Sequence, residues 1–259
     1  MKTLTVVILM ALSAPVFADD TTVVPTGSTP GSVWDSLGTT PVERDNWVNL
    51  FHLDQGVVVG HVGKGWEVTP YAALNLTTDS NGYSWDNTSK LEGGVKLVKH
   101  YNSGEISLGA AYGLEHRDLN TEATKSGLMV FADGWFGYKA FNTTHTPGSG
   151  WFSIGNTSPF EQDNVIGLAR IEQGYNFSQT EARSLGVVAW GQAGFDTRGD
   201  DWNNRHKAGG GLRASTSGTH GSAAITVGYE CFGGQAINTG CGPAISVDLW
   251  DGWNKIGGK

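Results

Sequence analysis

Beyond its first eighteen residues the chain contains no apolar run that reaches the ~18 residues a membrane-spanning helix requires. Charge is also thin. Asp, Glu, Lys and Arg make up 16% of the 259 residues, where about a quarter is usual for a soluble domain. Basic charge is the scarcer sign, with 17 Lys and Arg against 25 Asp and Glu. No basic stripe interleaved with aromatics offsets that balance, so the chain repels phosphate backbones and nucleic acid is not an expected partner. There is no Gly-x-Ser-x-Gly, no His-Glu-x-x-His and no phosphate loop, so no enzyme is expected from motifs. Cysteine is limited to Cys231 and Cys241. Two thiols with no neighbouring His make an incomplete metal site, and no cofactor or metal is expected. Signals that start and stop helices are sparse, which leaves an all-β chain.

Glycine and tryptophan are abundant, at 38 and 10 residues. Some of these residues sit in a pattern that occurs twice. Thr29-Pro30-Gly31-Ser32-x-Trp34-x-Ser36-x-Gly38 returns 117 positions later as Thr146-Pro147-Gly148-Ser149-x-Trp151-x-Ser153-x-Gly155. One inserted residue then shifts the register. Pro41-x-Glu43-x-Asp45-Asn46 is matched by Pro159-x-Glu161-x-Asp163-Asn164, and Gln55-Gly56 by Gln173-Gly174. Asp79, Trp85, Asn87, Gly93-Gly94 and Tyr112 reappear at 117 as Asp196, Trp202, Asn204, Gly210-Gly211 and Tyr229. Matches in one order over this length indicate a tandem duplication. Residues 19–141 form the first β repeat and 142–259 the second.

The start of the chain has the marks of a secretory signal peptide over residues 1–18. Met1-Lys2 is basic, Thr3 to Ser13 is apolar, and Val16-Phe17-Ala18 is a small-x-small cleavage site. Cleavage removes Lys2 alone, which takes the mature charge from −8 to −9.

Alternation marks the strands. Residues 105–115 set Ile106, Leu108, Ala110, Tyr112 and Leu114 against Ser107, Gly109, Ala111 and Gly113. Residues 221–232 repeat the design, and in 66–78 Val68, Ala72, Leu74 and Leu76 oppose Glu67, Thr69, Tyr71 and Asn75. In 165–177, Arg170 and Glu172 share a face with Ile166 and Leu168. The pattern predicts ten strands: 47–60, 66–78, 89–100, 104–116 and 127–138, then 164–177, 185–196, 206–215, 221–232 and 244–253. Each is close to the 9–11 residues of a tilted membrane strand.

With the signal segment, these ten alternating strands, short turns such as Tyr101-Asn102-Ser103-Gly104 and longer polar loops such as Thr78 to Ser89, the chain resembles a bacterial outer-membrane β-barrel protein. A looser likeness is to the barrel modules of exopolysaccharide-export and phage-adsorption outer-membrane proteins. The resemblance implies an antiparallel β-barrel of about ten strands formed by both repeats, in contact with outer-membrane lipid. It implies a non-enzymatic role as a narrow pore, a scaffold or a surface receptor. The chain departs from the class at its end, where Trp253 is followed by Asn254-Lys-Ile-Gly-Gly-Lys259 and not by a terminal aromatic residue. The alternative is a soluble periplasmic or secreted β protein that binds carbohydrate.

Five strands per repeat would leave equivalent loops on opposite sides of a membrane. Three arrangements repair this: motif segments that fold inward as plugs, an extra short strand in each copy, or a soluble sandwich. The plug reading involves Trp34, Glu43, Asp45, Trp151, Glu161 and Asp163. The plainer reading is that Trp34 and Trp151 cover the apolar edge of their own repeat, with the acidic pairs capping a strand.

Two equivalent loops carry the most exposed chemistry. One holds Asp79, Tyr83, Trp85, Asp86 and Asn87, and the other Asp196, Asp200, Asp201, Trp202 and Asn204. An aromatic face flanked by Asp and Asn suits a glycan or polysaccharide, with ring stacking on C–H faces and acceptors for hydroxyls. The same residues also make tight turns. In an oxidising compartment Cys231 and Cys241 are expected to pair, closing a short loop worth about 2–3 kcal/mol. Glu115, His116 and Ser126 could be drawn as a hydrolytic triad, and His206 stands near Asp200-Asp201, but neither set lies in a recognisable motif.

Overall fold

The computed structural model describes residues 23–39, 46–82, 87–118, 123–140, 145–199, 203–234 and 239–255. The proposed signal peptide therefore lies outside the described residues. Among those described, thirteen strands share one sheet: β1 Thr29–Thr39, β2 Trp47–Gly56, β3 Gly60–Val62, β4 Trp66–Asp79, β5 Thr88–Tyr101, β6 Gly104–Arg117, β7 Ala123–Lys139, β8 Pro147–Asn156, β9 Ile166–Gln179, β10 Arg183–Asp196, β11 Arg205–Ser217, β12 Gly221–Gly234 and β13 Gly240–Lys255. Twelve of them form a closed antiparallel ring in chain order, because β1 pairs with both β2 and β13. The short β3 pairs only with β4, outside the ring.

The expected ten strands are thus corrected to twelve. The two that were missed are β1 and β8, the repeated Thr-Pro-Gly-Ser-x-Trp motif itself. Its Pro, Gly and Ser content reads as loop when strands are sought by apolar alternation. A barrel wall imposes a weaker demand. Its inner face accepts Ser32, Trp34 and Ser36, and its outer glycines lie beneath aromatic rings from the adjacent strand. A Cβ on Gly31 would come within 2.6 Å of the Trp253 ring, and one on Gly148 within 2.2 Å of Tyr138. Glycine under a cross-strand aromatic is a recurrent sheet device. With β1 and β8 counted, each half of the chain supplies six strands, and the topological parity is restored.

Directly opposed residues of antiparallel strands share a face, so the inside can be followed round the ring. Trp34 opposes His52, His52 opposes Asn75, then Lys90, Glu115 and Lys125 follow in register. The series closes where Trp250 opposes Trp34. These residues point inward. The outward rows are Leu108, Ala110, Tyr112 and Leu114 on β6, and Ala223, Ile225, Val227 and Tyr229 on β12. Tyr112 is 61% exposed and Val227 54%, whereas the inward Glu115 and Glu230 are buried. Apolar side chains outside and ion-paired ones inside are the polarity of a transmembrane barrel, the reverse of a soluble domain. Inside, Tyr71, Ala73, Ala111 and Met129 form a packed cluster flanked by Phe131.

The two rims differ. At one, β5–β6, β9–β10 and β11–β12 are joined by turns of two or three residues (102–103, 180–182 and 218–220). Here β1 begins and β13 ends. The same rim carries the longer connections 57–65 and 140–146, and the opposite rim carries 80–87, 157–165 and 197–204. We refer to these as the turn end and the loop end.

Asp35 is an exception on the outer wall. It lies mid-strand between Phe51 and Leu249, and its Oδ1 is buried without a hydrogen-bond partner. A charge facing the middle of the bilayer destabilises a barrel. Asp35→Leu should therefore stabilise the fold by about 1 kcal/mol, measured as a later urea midpoint for the protein folded in lipid vesicles. An unchanged or earlier midpoint would show that the carboxylate is satisfied in the membrane.

Candidate functional site

The chemistry of the chain lies in the lumen and at its two mouths. Across the middle, inward side chains form ion pairs at equivalent places in the two halves. In the first, Lys96 Nζ is 2.8 Å from Asp54 Oδ2, and Ser32 donates to Asp54 Oδ1 at 2.6 Å. Lys96 also lies 4.5 Å above the Tyr71 ring, and Tyr71 donates to Glu92, which pairs with Lys90. In the second, Glu172 accepts from both Arg170 and Arg213, at 2.5 and 2.6 Å. Trp190 Nε1 donates to Glu230 at 2.7 Å, and Lys207 stands 3.7 Å from the same carboxylate. Charges placed in a narrow lumen are costly unless paired, and these are paired. The placement of Arg170 and Glu172 among apolar residues, visible in the sequence, was the signature of an inward row.

At the loop end, residues 157–165 leave the wall and cross into the lumen. Lys90 Nζ donates to the Thr157 carbonyl at 2.8 Å. Ser158 donates to Glu115 Oε2 at 2.5 Å and accepts from Arg117 at 3.1 Å. The Phe160 ring lies under Arg117 and Lys125, 4.3 and 4.8 Å from its centroid. Pro159 packs toward Gly113 on the inner face of β6. Lys90, Glu115, Arg117 and Lys125 belong to β5, β6 and β7, so this strap from the β8–β9 connection reaches back over the first half. Arg198, from the β10–β11 connection, clamps it by pairing with Glu161 at 3.2 Å and with Asp163.

The plug expectation is thereby corrected in its residues. Trp34 and Trp151 stand in wall strands with inward side chains, and the motif they belong to builds the barrel. The segment held against the inward side chains is the one directly after the second motif. Glu161 and Asp163 belong to it, whereas their counterparts Glu43 and Asp45 lie outside the described residues. The sequence reading overlooked Asn46 and Asn164, both fully buried. Their recurrence at equivalent positions was the available signal.

These two asparagines organise the loops singled out for glycan contact. Asp79 accepts from Asn46 at 2.8 Å and from Asn87 at 2.6 Å. Asp196 accepts from Asn164, Asn203 and Asn204 at 3.0, 2.9 and 2.8 Å, and from the Gly199 amide. Each aspartate therefore staples the base of its loop, with the buried Asn carbonyl oxygens capping the following amides. Tyr83, Trp85, Asp86, Asp200, Asp201 and Trp202 lie outside the described residues.

At the turn end, residues 23–28 tuck into the mouth of the first half. The Val24 amide donates to Glu67 Oε1 at 2.8 Å, and His61 Nε2 lies 2.9 Å from the Val24 carbonyl. Ser28 and Val58 are fully buried there and joined by a backbone hydrogen bond. His100 bridges Glu67 and Glu105 at 3.2 Å each.

The expected disulfide is present, joining Cys231 to Cys241 across β12 and β13 near the loop end. The triad of Glu115, His116 and Ser126 is not assembled. Glu115 faces the lumen and binds Ser158 and Arg117, while His116 and Ser126 face outward and bond to Thr124 and Tyr112. His206 also faces outward, over Gly233.

No family model and no curated protein matches the chain. Solved structures with a similar fold include the β domain of the Bordetella autotransporter BrkA, 11% identical, with a TM-score of 0.43 over 88% of this chain and 100% of that one. An outer membrane channel from Pseudomonas putida F1 is 12% identical, with a TM-score of 0.44 over 89% and 97%. The translocator domain of the autotransporter NalP from Neisseria meningitidis is 13% identical, with a TM-score of 0.36 over 97% and 96%. The class of this chain, a membrane β-barrel with an ion-paired lumen, rests on its own geometry.

Glu115→Ala removes the acceptor that Ser158 and Arg117 share. The expected outcome is faster cleavage within 157–165 by protease added at the loop end, with the barrel intact. Asp163 is held below the usual carboxylate range by the hydrogen bond and charge of Arg198. Its contact with Arg198 is therefore complete above about pH 4 and is lost as pH falls through the lowered value. Protease sensitivity of the strap should rise over that acidic window, and Arg198→Ala should abolish the pH dependence.

Proposed function

We propose that the chain is a narrow, constricted pore of the bacterial outer membrane, built by tandem duplication of a six-strand unit and exported by the signal peptide at residues 1–18. The observation that carries this reading is the strap 157–165, held inside a polar, ion-paired lumen by Lys90, Glu115 and Arg117. A scaffold that only filled the membrane would gain more from an apolar core than from buried ion pairs. The even strand number and the three turns of two or three residues at one rim support a topology with the turn end in the periplasm and the loop end outside. The duplication is supported by wall strands of which five of six recur at 117 or 118 positions, and by matched bonding. Gln55 Nε2 donates to the Thr29, Pro30 and Gly56 carbonyls, and Gln173 Nε2 to those of Thr146, Pro147 and Gly174. The outward apolar rows disfavour the soluble carbohydrate-binding alternative. A surface receptor whose outer loops meet glycan is compatible with the pore, because the two Asp–Asn networks hold both loop bases on the outer rim.

Reconstitution into a planar bilayer tests the reading. The wild-type chain should give small, steady conductance steps, and replacing residues 158–162 with a short Gly/Ser linker should raise them about threefold or more, as for any pore relieved of its narrowest element. A folded, heat-modifiable barrel silent in both forms would leave the scaffold or receptor role. Recovery outside the outer-membrane fraction would remove both.

A further inference from the structure

The two halves of the lumen are not equally filled, and the difference follows a rule that can be traced position by position. At the loop end the strap is anchored on Lys90, Glu115, Arg117 and Lys125. The equivalent positions in the strand register are Lys207, Phe232, Gly234 and Gly240, so three of the four anchors have no counterpart in the second half. At the turn end the first half presents Glu67, Val98, His100, Glu105 and Ser107, and is closed by residues 23–28 and by Val58. The positions 117 on are Ser184, Ser215, Ser217, Ser222 and Ala224. These small residues line an open cavity of about 270 Å³ that also touches Ser149, with Glu172 and Arg213 at its margin. Deeper in, Tyr71, Met129 and Phe131 of the packed first half correspond in the strand register to Val188, Ala244 and Ser246.

We infer that solute passes off the barrel axis, through the second half of the lumen alone, and that the Glu172–Arg213 pair with Arg170 is the constriction it crosses. This rests on the pore reading. The first half, strapped at one mouth and tucked shut at the other, is the structural half. The path runs from the serine-lined periplasmic vestibule past Glu172 and Arg213, then alongside Trp190 and Glu230. Its inner-wall cations Arg170, Arg205, Lys207 and Arg213 are matched in number by Glu172, Asp196, Glu230 and Asp248. The solutes that fit are therefore small, hydrophilic molecules of either charge sign or none.

Equivalent positions provide the test. Single-channel conductance in potassium chloride is compared for the full wild-type chain, for Glu172→Ser with Arg213→Ser, and for Asp54→Ser with Lys96→Ser. Heat-modifiable mobility checks that each variant is folded. Ser215→Trp forms the fourth arm. The expected result is a rise of about two- to threefold for the second-half pair, no change for the first-half pair, a several-fold loss for Ser215→Trp, and a reversal potential near zero across a salt gradient. Equal effects of the two pairs, or no effect of Ser215→Trp in a channel that conducts, would overturn the off-axis path and leave the pore standing. A reversal potential far from zero would overturn the charge-balanced path. Silence of every folded form, including the strap replacement, would overturn the pore and this inference with it.

Discussion

Everything in this molecule depends on the hydrogen-bonded seam between β1 and β13. A sheet in lipid has no water to satisfy its edges, and each unpaired backbone group there costs several kcal/mol. Ten register pairs, from Thr29 with Lys255 to Gly38 with Ser246, remove both edges at once. Once the ring is closed, side-chain placement is fixed by parity alone. Every second residue faces lipid and every other faces the lumen, so the sequence must serve two solvents with a period of two.

That division explains why the walls were partly legible. Where the outer row is aliphatic, as in β4, β6 and β12, alternation predicted the strand and the side each residue would take. It failed at β1 and β8, because there Gly31 and Gly148 shelter under rings from β13 and β7, and the apolar signal belongs to the neighbouring strand. No reading of one segment at a time recovers such a contact. The inner row was legible mainly through its anomalies, Arg170 and Glu172 above all, which looked like errors in an apolar face and are the mid-lumen ion pairs.

The candidate site was legible in outline and wrong in detail. The repeated motif is wall, tryptophans included, and the nine residues behind the second copy are the strap. Strap formation depends on partners that lie 40 to 70 positions away in sequence, Lys90 for Thr157 and Glu115 for Ser158. The repeat drew attention to what the halves share, such as the Asp79 and Asp196 loop bases. What differs between them, serine for glutamate and histidine at one mouth and glycine for arginine at the other, carries the asymmetry of the lumen.

Each half contributes six strands, and six returns the chain to the side on which it started. A half is therefore a self-consistent module of wall. Adding or removing one changes the circumference of the cylinder by a fixed step, while every later loop keeps its side of the membrane. Odd-numbered insertions would turn the remainder of the protein inside out. Bore size in such an architecture can change in whole modules, and finer adjustment falls to the side chains that line them.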